Sequence, residues 1–307
     1  MIFHNAYLIY NPVAGRMIRK PHRLPQALAA LRQAGHTVSE HPTSGPHDAS
    51  EIARQAVAEG ADLVLAAGGD GTINEVINGM VGSNVPLAVL PGGTANVLCC
   101  EIGLGTNMRV AAQKFSELVP LRIALGRFHR PGQDDRYFAL MAGVGLDAAI
   151  VENMDSDFKR RWGKAAYWFG GFGAVMRRLP EMRAVVDGDP YQVSFALATR
   201  VRNYGGDLEI ARQVRLYDPN FEVVLFEGRW AVRYLKYFAG IFLNNLSSMS
   251  GVTVRRAHRV DFEVLEADPV FSQLDGEAAG RIPASLEIVP DALTLMIPPG
   301  YANGRHG

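Results

Sequence analysis

The first 125 residues alternate short apolar runs with segments in which apolar residues recur every three or four positions. Runs that are apolar throughout are typical of strands buried on both faces, and the three-to-four spacing is typical of amphipathic helices. The pattern predicts strands at 6–10, 37–41, 63–67 and 87–90, and helices at 24–31, 48–59, 72–78 and 96–102. Such alternation favours a parallel sheet that is covered by helices on both faces.

After about residue 126 the pattern changes to short strands separated by turn residues, mostly without helices between them. It predicts strands at 191–197, 221–226, 252–254, 260–265, 286–289 and 293–297, and two helical segments at 164–179 and 230–243. We therefore expect an α/β domain over residues 1–125, which residues 290–307 could rejoin, and a β-rich, mainly antiparallel domain over 126–289.

The composition fits this two-domain interpretation. The chain has 307 residues, of which 48% are hydrophobic and 20% charged, as in ordinary globular proteins. Basic and acidic residues number 31 each, which argues against a nucleic-acid binder with a broad basic surface. The adjacent Cys99 and Cys100 are poorly placed to bridge each other, which fits a reducing cytoplasm. The N-terminus does not resemble a signal peptide, and no apolar stretch reaches the roughly 20 residues of a transmembrane helix.

Glycine-rich turns follow three of the predicted strands. Residues 68–72 (GGDGT) follow the strand at 63–67, residues 92–96 (GGTAN) follow 87–90, and residues 11–16 (NPVAGR) follow 6–10. Backbone N–H groups in such turns, together with a helix N-terminus, can bind phosphate, and the carboxyl ends of parallel strands lie along one crevice. Arg16 could add a bidentate contact. Neither GxxxxGK[ST] nor GxGxxG is present, and a turn without a ligand is the alternative for any single site.

Taken together, the motifs resemble the diacylglycerol kinase catalytic-domain family of lipid kinases. This family includes soluble bacterial YegS-like enzymes and is related to sphingosine and ceramide kinases. The matching segments occur in the family order and are Asn11-Pro-x-x-Gly15, Gly68-Gly-Asp-Gly-Thr-x-Asn-Glu75, Leu90-Pro-Gly-Gly-Thr-Ala-Asn96, Phe138 to Asp147, Asn203-Tyr-Gly-Gly206 and Asp275-Gly-Glu277.

The resemblance implies a phosphofructokinase- or NAD kinase-like, Rossmann-type α/β domain followed by an antiparallel β-sandwich. It also implies transfer of the γ-phosphoryl group of ATP to a lipid hydroxyl, with Mg²⁺ as cofactor and diacylglycerol as the default acceptor. Arg16 stands where many members have lysine, and Gly92 where many have leucine. The nucleotide contacts implied by the resemblance are Asn11, Pro12, Val13, Ala14, Gly15, Arg16, Thr43, Gly68, Gly69, Asp70, Gly71, Thr72, Glu75, Gly93 and Thr94.

The Asp275-Gly276-Glu277 motif is the candidate source of a catalytic base. Phosphoryl transfer needs a carboxylate to accept the proton of the attacking hydroxyl. The resemblance assigns this role to Glu277, with Asp275 orienting or assisting it. Asp70 is expected to hold the nucleotide-bound Mg²⁺ or to organise its loop. From the residues alone, Asp-Gly is also a common hairpin signal, so a solvated β-turn is the alternative.

A second cation site is implied by resemblance at Asp218, with Arg215 and Asn220 from the same loop. In the family, an aspartate and backbone carbonyl groups at this position hold a structural Mg²⁺, and oxygen ligands suit that cation. The usual Asp-Asp-Gly of the family reads Tyr217-Asp218-Pro219 here. An ordinary Asp-Pro turn is the alternative.

The segment 159–178 places cations on both sides of aromatic residues, a pattern that could rest on an anionic membrane surface. A core helix with solvated basic ends is the alternative. We therefore expect a cytoplasmic lipid kinase that associates peripherally with the membrane and could form a homodimer. Two other functions stay open, which are an NAD kinase-like enzyme acting on a soluble acceptor and a non-catalytic regulator that binds nucleotide or lipid.

Overall fold

The computed structural model describes residues 1–145, 178–202, 211, 214–230, 237 and 246–304. The chain divides into two compact units: unit 1 comprises Met1–Leu125 and Pro290–Gly307, and unit 2 comprises Gly126–Val289. Several predicted features lie outside the described residues: almost all of the helical segments 164–179 and 230–243, the segment 159–178 except Arg178, and the motif residues 146–147 and 203–206.

The elements are numbered along the described residues. The strands are β1 (Ala6–Tyr10), β2 (Val38–Pro42), β3 (Leu63–Gly68), β4 (Leu87–Pro91), β5 (Val119–His129), β6 (Arg136–Phe138), β7 (Met141–Gly145), β8 (Met182–Val186), β9 (Asp189–Val193), β10 (Phe195–Thr199), β11 (Phe221–Phe226), β12 (Val252–Ala257), β13 (Arg259–Val264), β14 (Phe271–Leu274), β15 (Glu277–Arg281) and β16 (Ala284–Ile297). The α-helices are α1 (Gly15–Arg19), α2 (Arg23–Gln33), α3 (Asp48–Ala58), α4 (Asp70–Met80), α5 (Val97–Glu101), α6 (Met108–Gln113) and α7 (Pro299–Ala302), and short 3₁₀ helices cover Phe115–Glu117 and Leu246–Ser248.

A parallel sheet forms the centre of unit 1. Its strands lie in the order β2-β1-β3-β4, and the C-terminal part of β16 adds a further parallel strand through the pair Leu295–Leu87. Every residue of β3 and β4 is buried, as expected for strands covered on both faces. Helix α3 packs against α4, and α2 packs against α6. The predicted α/β architecture is therefore confirmed.

The C-terminal residues are held to unit 1 by polar contacts, of which one is buried, one half-buried and one exposed. The guanidinium of Arg122 donates to the Thr294 hydroxyl at 3.1 Å and to the Asp291 carbonyl group. The hydroxyl of Tyr301 in α7 donates to the buried Glu101 carboxylate at 3.3 Å. These contacts satisfy polar groups that would otherwise be costly to bury, so they fix the last strand and helix in place.

Unit 2 is an antiparallel β-sandwich. One sheet has the order β12-β11-β10-β7-β14-β15, and in the other β9, β8, β13 and the N-terminal part of β16 follow one another. Stacked aromatic pairs contribute to its core, including Phe138 with Phe221 at 5.7 Å between ring centroids and Phe195 with Phe226 at 4.9 Å. The mainly antiparallel second half that the sequence predicts is therefore confirmed.

Three strand predictions in the second half are wrong in detail. The predicted strand 191–197 is two strands, because the chain leaves the β8–β9 pairing and joins β7 and β11 at Ser194. At this crossing the buried Ser194 hydroxyl donates to the Gly228 carbonyl at 2.6 Å, so the hydroxyl has a hydrogen-bond partner although it is buried. The strands predicted at 286–289 and 293–297 form one strand, β16, although Asp291 takes a φ of 48° within it.

A buried histidine joins β2 to the N-terminus in unit 1. The Nδ1 atom of His36 accepts the Phe3 N–H at 3.2 Å, and its ring packs edge-on against Phe115 at 5.0 Å. Among the residues that the structure describes, Nε2 of His36 has no hydrogen-bond partner. Desolvation lowers the pKa of His36, so the folded protein favours the neutral ring.

We expect His36 to make stability dependent on pH. Because its pKa is lowered on folding, the unfolded chain binds a proton more readily, and the unfolding free energy should fall as pH drops below about 6.5. In His36→Gln, the unfolding free energy measured by urea denaturation should decrease less between pH 8 and pH 5 than in the wild type. His22→Gln, at an exposed histidine, should keep the wild-type slope. Equal slopes for both variants and the wild type would contradict this role.

Candidate functional site

The strand order of unit 1 creates a crevice between β1 and β3. From β1 the chain moves outward to β2, and from β3 it moves outward to β4 in the opposite direction. In open α/β sheets, ligands bind outside the carboxyl ends of the strands at such a reversal. The segment Asn11–Gly15 follows β1, and Gly69 follows β3, so both lie at this edge.

Hydrogen bonds within the segment after β1, and from it and the end of β1 to neighbouring residues, fix it at the edge of the sheet. The Asn11 N–H donates to the Ala67 carbonyl at 3.2 Å, which ties the segment to the end of β3. The side-chain oxygen of Asn11 accepts the Val13 N–H at 2.9 Å. The Thr43 N–H donates to the Tyr10 carbonyl at 2.9 Å, which places Thr43 at the same edge of the sheet.

The two glycine-rich turns touch each other. The Gly92 N–H donates to the Gly68 carbonyl at 2.9 Å, and a Cβ atom on Gly93 would lie 2.4 Å from the Cα of Gly69. A side chain at Gly93 therefore does not fit without movement of the backbone. Helix α4 begins directly after Gly69, so the N–H groups of its first turn, which includes Gly71 and Thr72, point to the sheet edge. This cradle is formed by backbone and suits an anion such as phosphate.

Asn96 shapes the second turn, a role that the sequence analysis missed. It is fully buried and takes a φ of 51°. Its side-chain oxygen accepts the Gly93 N–H at 2.8 Å, and its amide group donates to the Gly93 carbonyl at 2.9 Å. The sequence contained a signal, because asparagine tolerates positive φ and commonly precedes helices.

Arg16 is tied to the backbone of unit 1. Its guanidinium donates to the carbonyl groups of Thr106 at 2.6 Å and Thr94 at 3.4 Å, and its own N–H donates to the Gly92 carbonyl. Thr94 is exposed and lies against Gly15, where a Cβ would be 3.2 Å from its hydroxyl. These contacts hold the loops after β1 and β4 together. A direct contact of Arg16 with phosphate stays a prediction.

Asp70 connects the first turn of α4 to the start of α5. Its carboxylate accepts the Leu98 N–H at 3.3 Å. Desolvation raises the pKa of Asp70, and hydrogen bonds from backbone N–H groups, including those of Val97 and Leu98, act in the opposite direction. The carboxylate therefore organises both loops. Whether it also holds Mg²⁺ stays a prediction, as does a nucleotide contact of the half-buried Glu75 on α4.

Unit 2 contains the candidate base on a tight hairpin. Leu274 pairs with Glu277, so Asp275 and Gly276 form a two-residue turn with φ values of 50° and 87°. Positive φ at both positions is the conformation that an Asp-Gly hairpin favours. The Gly276 N–H also donates to the side-chain oxygen of the buried Gln273 at 2.8 Å, which makes the turn more rigid.

The turn is not simply solvated, because the Asp275 carboxylate holds a neighbouring segment. It accepts the N–H groups of Ala139 at 3.0 Å, Leu140 at 2.9 Å and Met141 at 2.9 Å. Both carboxylate oxygens are therefore engaged by backbone donors, which suits a positioning role. Glu277, by contrast, is exposed at the start of β15.

Arg136 lies beside this hairpin, and the sequence analysis missed it. One of its guanidinium nitrogens donates to the Ala278 carbonyl at 3.0 Å. Desolvation lowers the pKa of Arg136, and the negative charges of Glu277 and Asp275 act in the opposite direction. The candidate base thus has a half-buried cation nearby. No local motif marked it, since Arg136 becomes a neighbour of residue 278 only through the fold.

The loop around Asp218 is held by hydrogen bonds from the chain itself, and a cation at this loop stays a prediction. The Asp218 carboxylate accepts the Arg215 N–H at 2.8 Å, and the buried Arg200 guanidinium donates to the carbonyl groups of Leu216 and Asp218. Asn220, the third predicted ligand, is half-buried. Over the described parts of the chain, no group of three or more His, Cys, Asp or Glu side chains is arranged to hold a metal ion.

Comparison with known proteins matches both units. Residues 5–128 match the family model "Diacylglycerol kinase catalytic domain", and residues 141–297 match "YegS C-terminal NAD kinase beta sandwich-like domain". A diacylglycerol kinase of Bacillus subtilis is 31% identical over 288 residues, which cover 91% of each chain. A diacylglycerol kinase of Mycobacterium tuberculosis is 28% identical, over 97% of this chain and 94% of its own.

Solved structures share the fold. A crystal structure of a diacylglycerol kinase from Bacillus anthracis str. Sterne matches with a TM-score of 0.76 and 22% identity, covering 97% of this chain and 98% of its own. No helix within the described ranges has both the length and the hydropathy needed to cross a membrane.

We expect Gly93→Ala to disrupt the cradle. The added methyl group would meet the Gly69 backbone, so overpacking should cost about 1–3 kcal/mol of unfolding free energy. Nucleotide affinity should fall as well, because the two turns must separate. Thermal unfolding and calorimetric titration with ATP measure the two effects. Gly45→Ala, at a glycine with no atoms within 4 Å of a Cβ, is the matched control and should change neither. Unaltered ATP affinity in Gly93→Ala would contradict the proposed position of the phosphates.

Proposed function

Because the chain belongs to the diacylglycerol kinase family, we propose that it is a lipid kinase that transfers the γ-phosphoryl group of ATP to a lipid hydroxyl, with diacylglycerol as acceptor. The observation that carries this proposal is the backbone cradle in unit 1, where Gly69 and Gly93 approach each other at the carboxyl ends of β3 and β4, and β3 borders the strand-order reversal. Such a cradle suits the phosphates of a nucleotide.

The residues of the cradle fit a nucleotide without a cluster of cations. The N-terminus of α4 carries a partial positive charge, and N–H groups of its first turn can donate to phosphate oxygens. Asp70 and Asn96 hold the two turns in the required shape. When bound, MgATP supplies the phosphoryl group and a metal ion that offsets its charge.

Glu277 is the proposed general base. Its exposed carboxylate would accept the proton of the lipid hydroxyl while the hydroxyl oxygen attacks the γ-phosphorus and the terminal bridging oxygen leaves on ADP. Asp275 would keep the hairpin in position through its three backbone hydrogen bonds. Arg136 would help to position Glu277, because its guanidinium donates to the carbonyl group of the adjacent Ala278.

A lipid acceptor also requires contact with a membrane surface. In unit 1 the apolar side chains of Val13 and Ile18 are exposed, and Ile18 is followed by the exposed cations Arg19 and Lys20. Exposed apolar side chains next to basic residues favour binding to an anionic bilayer. This pattern supports the proposed peripheral association.

The acceptor can be identified with [γ-³²P]ATP and a panel of substrates. Mixed micelles would contain diacylglycerol, monoacylglycerol, phosphatidylglycerol or sphingosine, and a separate reaction would contain NAD. We expect label in the organic extract with diacylglycerol. Label in the NADP fraction alone would instead indicate an NAD kinase-like enzyme. Intact ATP binding without any labelled product would indicate a non-catalytic regulator, and either result would contradict the proposal.

Glu277→Gln should lower the turnover number by about 10²–10⁴-fold, because the amide cannot accept the hydroxyl proton. ATP affinity should stay unchanged, since the variant does not alter unit 1. Steady-state kinetics and calorimetry give these two quantities. Glu263→Gln, at another exposed carboxylate of unit 2, is the control and should retain full activity. Turnover by Glu277→Gln at the wild-type rate would remove Glu277 from the mechanism.

A further inference from the structure

The guanidinium of a buried arginine, Arg200, contacts the loop where the family resemblance implies a structural Mg²⁺. Arg200 has no exposed surface, and its backbone N–H donates to the Leu140 carbonyl at 2.8 Å. Its guanidinium donates through Nη2 to the Leu216 carbonyl and through Nη1 to the Asp218 carbonyl at 3.4 Å. A cation that belongs to the chain therefore already contacts two carbonyl groups of this loop.

The acidic side chain of the loop faces its own backbone. The Asp218 carboxylate accepts the Arg215 N–H at 2.8 Å, and the Asp218 N–H donates to the Arg215 carbonyl at 3.0 Å. These two bonds close a tight turn over residues 215–218. One of the two oxygens of the carboxylate is therefore already engaged by a backbone donor.

The chemistry of the two cations makes them alternatives. Mg²⁺ and Ca²⁺ need several oxygen ligands at about 2.0–2.6 Å. A guanidinium is positively charged at any pH that a folded protein tolerates and donates several N–H groups in one plane. A divalent ion at the Asp218 carboxylate would lie in the same loop as the carbonyl groups that Arg200 contacts, so this fixed charge would repel it.

We infer that the guanidinium of Arg200 replaces the structural divalent cation at the loop 215–220. The loop is then held by a permanent internal cation, and folding of unit 2 requires no metal at this position. Any dependence of activity on Mg²⁺ would arise from the nucleotide alone. The inference concerns the folded protein and does not depend on the proposed kinase activity.

The first test is metal binding by the nucleotide-free protein after treatment with EDTA. We expect the same Mn²⁺ binding isotherm for the wild type and for Asp218→Asn. We also expect 10 mM MgCl₂ or CaCl₂ to change the wild-type unfolding temperature by less than about 1 °C relative to KCl of equal ionic strength. Loss of one bound Mn²⁺ in Asp218→Asn, or a stabilisation of several degrees by either divalent salt, would overturn the inference.

The second test removes the guanidinium. Arg200→Met should lower the unfolding temperature by about 5 °C or more, because buried carbonyl groups lose their donor, and added Mg²⁺ should recover part of the loss. Arg200→Lys, which keeps a positive charge, should lose less. Arg183→Met, at an exposed arginine of the same unit, should change little. An unaltered unfolding temperature in Arg200→Met would contradict the inference that Arg200 holds the loop. If Arg200→Met does not fold, Arg200→Lys and the titrations of the wild type with divalent salts still test that inference.

Discussion

The close approach of two glycine turns is the constraint on which the candidate phosphate site of unit 1 depends. The Gly92 N–H bonds to the Gly68 carbonyl, and Gly93 leaves no room for a Cβ beside Gly69. This approach joins the ends of β3 and β4 into one surface at the edge of the sheet. Because the surface is made of backbone, its donors are held by the sheet and by α4 rather than by flexible side chains.

Three charged side chains form hydrogen bonds with backbone groups of loops or neighbouring segments. Asp70 accepts an N–H at the start of α5, Asp275 accepts the N–H groups of three successive residues, and Arg200 donates to two carbonyl groups. Burying a charge is costly unless hydrogen bonds replace its water. In each case the charge therefore fixes the shape of a loop, which is a structural role even where the residue lies next to a candidate site.

Hydrogen bonding to the backbone also distinguishes the environments of the two carboxylates in the Asp275-Gly276-Glu277 motif. The turn forces Asp275 toward the segment 139–141, where its oxygens meet donors, and it leaves Glu277 exposed on the first position of β15. Two neighbouring acids thus have different environments, and the division of roles between anchor and proposed base follows from the hairpin geometry.

Local pattern alone determined the βα alternation of the first half, with β1 predicted at its observed bounds and α2, α3 and β3 within a few residues. It also marked the glycine turns, because strand, turn and helix signals are short in range. Tertiary structure decided the rest. Four features each depend on residues that are distant in sequence. They are the crossing at Ser194, the hydrogen bonds that Asp275 accepts, the position of Arg136 beside Glu277 and the contact of Arg200 with the Asp218 loop. Periodicity carries no information about such pairs, since they exist only after the strands have been paired.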